Sequence, residues 1–193
     1  MGPVDVHDAE ATPERTYEPL DPRLRPRKER QTVRVVLIDD AERTLLFEDS
    51  DPGVPGTTWW MTPGGGVDPG ESFPATAVRE VAEETGYVLT ESDLIGPVAR
   101  RHVVHGYSDL VVEQDEVFYL ARVRSFDVDV AAHTADEQLT ILQHRWFSHD
   151  ELRTTVEHVW PAVLVELWDL ADDEALWPVD LGVQEESTVP DVL

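Results

Sequence analysis

Three glutamates, Glu80, Glu83 and Glu84, crowd around a single arginine, Arg79, in the stretch "MTPGGGVDPGESFPATAVREVAEETGY" from Met61 to Tyr87. On a helix Glu80 would meet Glu83 at i+3 and Glu84 at i+4, like-charge contacts costing about 0.2–0.5 kcal/mol each. No cation follows at i+4 of any of them. Hard oxygen ligands on neighbouring turns suit Mg²⁺ or Mn²⁺, which converts the repulsion into coordination; the competing reading is a solvated acidic face. Gly64, Gly65 and Gly66 by themselves mark no more than a tight loop. Followed by such a helix, they form a segment without side chains that lets backbone N–H and C=O groups approach a ligand. That segment delivers an anionic phosphate towards a helix N-terminus. The combination points to metal-dependent phosphate chemistry.

Pro74 suits a first helical turn and Gly86 a helix end, so the spacing predicts a helix from about Phe73 to Thr85. At roughly 100° per residue from Glu80, Glu83 falls near 300° and Glu84 near 40°. Val81, Thr85, Val78, Ala82 and Ala75 occupy an arc of about 100–220°. One face is therefore core and the opposite one carboxylate. Thr76 and Ala77, one turn before the glutamates, are small enough to leave room for an ion.

The elements that must hold this helix are legible in outline. Residues 1–30 carry five prolines among charged residues and predict an extended N-terminal arm. From Thr32 onward, "TVRVVLID" and "TLLFED" are β-rich runs separated by "DAER", as in an antiparallel pair. "SDPGVPGT" predicts a mobile flap. "GPVARRHVVHG", "DLVVEQDEVFYLARV" and "LTILQHRWF" predict further strands, the last two separated by an Asp/His-rich loop over 125–137. Ser148 and Glu151 form a capping-box pattern. Pro161 opens a helix in which Val163, Leu164, Leu167, Trp168 and Ala171 share a face. Residues 178–193 predict a loosely held tail. Strands on both sides of one central helix give a single α/β domain over 31–177, an α/β sandwich around a mixed sheet.

Composition narrows the function. The 193 residues carry 15 Lys+Arg against 40 Asp+Glu, a formal net charge of −25, and Lys28 is the only lysine. Such a surface repels a nucleic-acid backbone, so no polymer partner is expected. The chain has no cysteine, which removes disulfides, thiolate zinc sites and thiol nucleophiles. The histidines at 102, 105, 133 and 144 follow no tight ligand spacing. No apolar run is long enough to span a bilayer and no signal-peptide pattern opens the chain, so a cytoplasmic location without membrane contact is expected. A homodimer is compatible with this reading.

From Gly65 the spacing is Gly, five residues, Glu71, seven residues, Arg79-Glu80, Val81, one residue, Glu83-Glu84, one residue, Gly86 and Tyr87. This pattern resembles the signature box of the Nudix, or MutT-like, hydrolases at every defined position, with an aromatic Tyr87 where an aliphatic residue is more usual. The resemblance implies an α/β/α sandwich and a divalent-metal-dependent pyrophosphohydrolase that cleaves a nucleoside diphosphate linked to another moiety. It implies that Glu83 and Glu84 are the principal metal ligands, with Glu80 a further ligand or the base that orients water. The carbonyl of Gly64 would coordinate metal, Gly65 and Gly66 would meet the substrate, and Arg79 would pair with Glu71 and orient the carboxylates. Family members often add a carboxylate from a loop before the last strand, where Asp136 and Glu137 stand; Glu137 is the candidate.

The rival reading is a Nudix-like module that senses a nucleotide without cutting it, but such modules usually lose box glutamates and this chain keeps them. The arginine motif, the proline and the tyrosine that mark particular substrate subfamilies do not stand at their usual spacings, so the leaving group stays open among nucleotide sugars, dinucleotides, ADP-ribose and nucleoside triphosphates. Trp59 and Trp60 immediately precede the glycine run. In an extended segment their side chains point to opposite faces, so one is expected in the core and the other in the cleft, stacked on a base.

Overall fold

The computed structural model of the protein describes residues 15–190. Its strands are β1 (Arg27–Ile38), β2 (Arg43–Ser50), β3 (Thr58–Met61), β4 (Leu94–Gly106), β5 (Val111–Arg122), β6 (Gln143–Ser148), β7 (Val159–Trp160) and β8 (Val179–Glu185). The helices are α1 (Phe73–Thr85), α2 (Ala135–Thr140), α3 (His149–Thr154) and α4 (Leu164–Asp169). The strands form one mixed sheet in the order β7-β3-β2-β1-β5-β4-β8, with β6 on the far side of β2. β1 and β5 run parallel along their whole length, from Arg27↔Val111 to Ile38↔Arg122.

Side chains alternate across a strand, and β1 shows the consequence. Val33, Val35 and Leu37 pack with Ala77 and Val81 of α1 on one face. Val36 and Ile38 pack with Phe118, Phe147, Leu164 and Trp168 on the other, under α3 and α4. Both faces of the sheet are thus covered by helices, an α/β/α sandwich. The N-terminal half of β1 carries Lys28, Arg30, Thr32 and Arg34 at the even positions that later become Val36 and Ile38. One face of one strand changes from cationic to apolar along its length, and the cationic half borders the site.

β2 pairs with β1 only at Ile38↔Thr44 and then diverges to join β3. The edge of β1 that it leaves is taken by the glycine segment. Val33 N–H donates to Gly65 O (3.0 Å), Val35 N–H to Pro63 O (2.9 Å) and Val67 N–H to Gln31 O (3.0 Å). The loop is fixed as a pseudo-strand between β1 and α1.

Several expectations need correction. The segment after Pro178 is not loosely held, because β8 pairs in parallel with β4 from Ala99↔Val179 to Val104↔Glu185. Residues 27–30 belong to β1, and the preceding residues are anchored by Arg25, which donates to the carbonyls of Tyr107 (2.9 Å), Val189 (2.8 Å) and Pro190 (2.9 Å). A guanidinium gathering backbone carbonyls leaves no apolar periodicity for a sequence to display. The remainder of the expected arm, residues 1–14, and residues 191–193 of the tail lie outside the described residues. The loop expected as a flap is tied down by buried Asp51, which accepts from Ser108 N–H (2.7 Å), Ser108 Oγ (2.6 Å) and Thr188 Oγ1 (2.7 Å). "LTILQHRWF" is divided, since a capping box at Thr134 and Glu137 starts α2 and only Gln143 onward is strand.

Candidate active site

α1 begins at Ser72, whose hydroxyl caps Ala75 N–H, and ends at Gly86 in the left-handed conformation at φ 73°. Two of the three carboxylates on its acidic face are not solvated. Glu80 is 8% exposed and Glu84 7%, because the glycine segment lies across them. That closeness explains two glycines. A Cβ on Gly65 would stand 2.5 Å from the Glu80 carboxyl carbon, and one on Gly64, at φ 139°, would stand 2.1 Å from the carbonyl oxygen of Val33. Thr76 and Ala77 do not open space for an ion. Ala77 is core, and Thr76 Oγ1 donates to Glu71 Oε2 at 2.8 Å.

Gly64 N–H donates to Glu84 Oε2 at 2.8 Å. Burial, with Glu80 one turn away, raises the Glu84 pKa well above the usual carboxylate range. Burial also raises Glu80, against the opposing pull of Arg79. Glu83 is half exposed and meets Arg79 Nη1 at 3.1 Å. Arg79 binds Glu71 as a fork, Nε to Oε1 and Nη2 to Oε2, both at 2.9 Å. It also donates to Gly66 O (2.9 Å) and Glu80 Oε1 (2.8 Å). The Arg79 fork and Thr76 push the Glu71 pKa down to about 2. One guanidinium therefore joins the helix, the glycine segment and the Glu71 turn.

Glu80 and Glu84 open onto a cavity of about 360 Å³, whereas Glu83 does not line it. Glu137 lines it from α2, not from a loop; its Oε2 is engaged by Thr134 N–H (2.6 Å) and Oγ1 (2.9 Å) in the capping box. Asp136 lines the same wall. Neither Trp59 nor Trp60 faces the cavity. Trp59 is stacked on Trp160 with ring centroids 4.4 Å apart, and Trp60 packs edge-on to Phe147 at 4.8 Å, each about 2% exposed or less. The Trp160 ring from β7 covers Trp59 on one face and Phe147 from β6 covers Trp60 on the other, so both alternate faces of "WW" are core. The aromatic lining comes instead from Tyr17, Phe47 and Tyr107.

The opposite wall is basic. Arg15, Lys28, Arg30 and Arg34 line the cavity, an unusual concentration in a chain with 15 cations. Arg34 Nη1 donates to Gly64 O at 2.9 Å, and a carbonyl has two lone pairs, so this bond leaves one for another partner. Arg34 also meets buried Glu116 (3.3 Å), which accepts from Arg101 (2.7 Å), which in turn donates to Glu186 (2.7 Å). This buried chain links the glycine segment to the end of β8. Sequence reasoning missed these residues; the alternate-residue cations in "RKERQTVR" are the signal that could have found them, once that stretch is read as strand.

Among the described residues no three His, Asp or Glu side chains converge as a ready-made metal cage. Mg²⁺ does not require one. It retains waters and binds through one or two carboxylates together with substrate phosphates. Two buried hard-oxygen carboxylates on adjacent turns, neighbouring Gly64 O and opening onto a cavity, fit that mode.

Residues 28–167 match the NUDIX domain family over most of the chain. The chain belongs to the Nudix family. Similar proteins include a Bacillus subtilis (strain 168) protein provisionally named an 8-oxo-dGTP diphosphatase, 44% identical over 34% of this chain and 41% of its own length. An RNA pyrophosphohydrolase of Erythrobacter litoralis (strain HTCC2594) is 35% identical over 48% of this chain and 61% of its own length. The chain thus spans less than two thirds of either relative. The MutT protein of Methanosarcina mazei Go1 superposes with a TM-score of 0.54 at 21% identity, covering 79% of this chain and 97% of that one, which shows the shared Nudix fold. Among the described residues no helix is long and apolar enough to cross a membrane.

Proposed function

We propose that the protein is a divalent-metal-dependent pyrophosphohydrolase that cleaves a phosphoanhydride bond in a small nucleotide, a nucleoside diphosphate linked to another moiety. The observation that carries this reading is the pair Glu80 and Glu84, buried under the glycine segment across a cavity from four cations. A solvated acidic face would leave these groups in water, and a purely structural Glu84 would be paired with a cation as Glu80 is with Arg79. Glu84 instead accepts only a backbone N–H among the described residues.

Glu84, Glu83 and Glu80, with the remaining lone pair of Gly64 O, would hold Mg²⁺ or Mn²⁺. Such an ion, when bound, neutralises charge developing on the phosphate oxygens. Arg79 fixes the Glu80 and Glu83 carboxylates from behind. The cationic face of β1 binds the phosphates, and the half-buried backbone of Gly65 and Gly66, which lines the cavity, allows their close approach. Glu137, beside Glu84, supports either a further ligand role or abstraction of a proton from the attacking water. The retained glutamates favour this reading over a binding module that does not cut its ligand.

The names of similar proteins suggest three substrate classes, an oxidised nucleoside triphosphate, an RNA and a dinucleoside tetraphosphate. The charge of −25 favours the small nucleotide. A phosphatase-coupled phosphate-release assay over nucleotide sugars, dinucleotides, ADP-ribose, oxidised nucleoside triphosphates and a 5′-triphosphorylated oligonucleotide, with Mg²⁺ or Mn²⁺, tests it. Release from a small nucleotide that disappears in Glu84→Gln is expected. Stoichiometric nucleotide binding without release from any compound would replace the hydrolase with the binding module.

A further inference from the structure

Most arginines around the site are neutralised by a carboxylate. Arg15 meets Asp109 at 2.6 Å, Arg34 meets Glu116 at 3.3 Å, Arg79 meets Glu71 at 2.9 Å and Arg101 meets Glu116 at 2.7 Å. Arg30 differs. It lines the cavity between Lys28 and Arg34 on the cationic face of β1, and among the described residues no carboxylate is paired with it, in a chain with 40 acids. Protein surrounds its guanidinium closely enough to weaken its hold on the proton, and the nearby Arg34 adds to this, yet the side chain remains open to the cavity.

What holds Arg30 is a neutral amide. Gln114 is fully buried on β5, in register with Arg30. With its amide oriented to satisfy both ends, Nε2 donates to Glu116 Oε1 (2.9 Å) while Oε1 accepts from Arg30 Nε (3.1 Å) and Nη2 (2.7 Å). Glu116, anchored by Arg101, thus decides which end of the amide faces Arg30. The amide takes two of the five guanidinium N–H donors and leaves the rest for a ligand. A glutamate here would keep the bonds from Arg30 and cancel its charge, while losing the donor to Glu116.

We propose that Arg30 is a phosphate anchor of this cavity and that Gln114 is the positioning residue that holds its guanidinium without neutralising it. The assignment rests on the hydrolase reading for its role in turnover, but the anion site can be tested without it. Lys28, two residues earlier on the same strand face, extends the positive wall outward.

The test compares wild type with Arg30→Gln, Arg30→Lys, Gln114→Glu and Gln114→Met, measuring kcat and KM on a hydrolysed nucleotide, calorimetric affinity for inorganic pyrophosphate, and Tm. Loss of one charge-assisted contact is expected to raise KM and weaken pyrophosphate binding about 10- to 100-fold in Arg30→Gln. kcat should stay within about threefold, while Tm falls modestly, because no ion pair is broken but the buried Gln114 carbonyl loses its two donors. Arg30→Lys recovers part of the affinity, since an ammonium keeps the charge and loses the fork. Gln114→Glu should mimic Arg30→Gln, and Gln114→Met, which frees the guanidinium, should lie between it and wild type. The KM of Arg30→Gln should also respond less steeply to ionic strength. Unchanged KM and pyrophosphate affinity in Arg30→Gln overturn the anchor, and wild-type values in a folded Gln114→Glu or Gln114→Met overturn the positioning role. If wild type hydrolyses none of the nucleotides but pyrophosphate binding still depends on Arg30, the hydrolase reading falls and the anion site stands.

Discussion

The amide of Gly64 hydrogen-bonds the carboxylate of Glu84 across 2.8 Å and 20 residues of sequence, joining the glycine segment to the last turn of α1. The contact fixes Glu84 where its charge is least comfortable, buried and beside Glu80. Glu84→Gln keeps an acceptor for Gly64 and removes one of two repelling charges. Turnover should fall by orders of magnitude while Tm in EDTA equals or exceeds that of wild type. Steady-state assays and melting curves on one preparation decide it, and near-wild-type turnover at limiting Mg²⁺ would contradict the assignment.

Ion binding to the folded state alone stabilises it by linkage, by about 2.7 kcal/mol at a concentration 100 times Kd. Millimolar Mg²⁺ should therefore raise the Tm of wild type by several degrees and move that of Glu84→Gln much less. Equal responses would place the ion elsewhere.

Arg79 is a hub for Glu71, Glu80, Glu83 and Gly66 O. Arg79→Ala should lower turnover at least about tenfold and reduce Tm, since it leaves the acidic cluster without its shared cation. Arg79→Lys should restore only part of each, because one ammonium cannot serve the Glu71 fork and the Gly66 carbonyl together. Full activity in Arg79→Ala would show the hub to be dispensable.

With both tryptophans in the core, Trp59→Ala and Trp60→Ala should each cost about 3–5 kcal/mol of stability, with KM of the folded fraction unchanged. A rise in KM confined to one of them would restore a role in base stacking.

His105 is buried, with Nδ1 2.7 Å from Glu186 O, and burial pushes its pKa down to about 4 despite the favourable field of Glu116. Arg101 opposes protonation as well. The unfolded chain binds this proton near pH 6.5 and the folded protein only near 4. Stability is therefore lost as pH falls through that window, by roughly 3 kcal/mol in full. Glu116, held down at about 2, adds its own loss only below the ordinary carboxylate range. Melting curves from pH 7 to 4.5 should fall more steeply for wild type than for His105→Gln; parallel curves would refute the burial argument.

The sequence by itself determined α1, because its signals are local: Pro74 and Gly86 at the ends, and carboxylates spaced three and four apart along one side. It also determined the family-level chemistry, since the glycines, Glu71, Arg79 and the glutamates all lie within 23 consecutive residues. Tertiary structure alone decided that Glu80 and Glu84 are buried, because what covers them is a segment pinned to β1 by backbone bonds that no side chain announces. It decided the fate of Trp59 and Trp60, whose alternation predicts opposite faces but not that β6 and β7 would cover both. It decided as well that Arg30, Gln114, Glu116, Arg101 and Glu186 belong to one system. These residues come from three strands and the residue following β8, and a parallel pairing such as β1 with β5 is set by non-local contacts that a linear pattern does not encode.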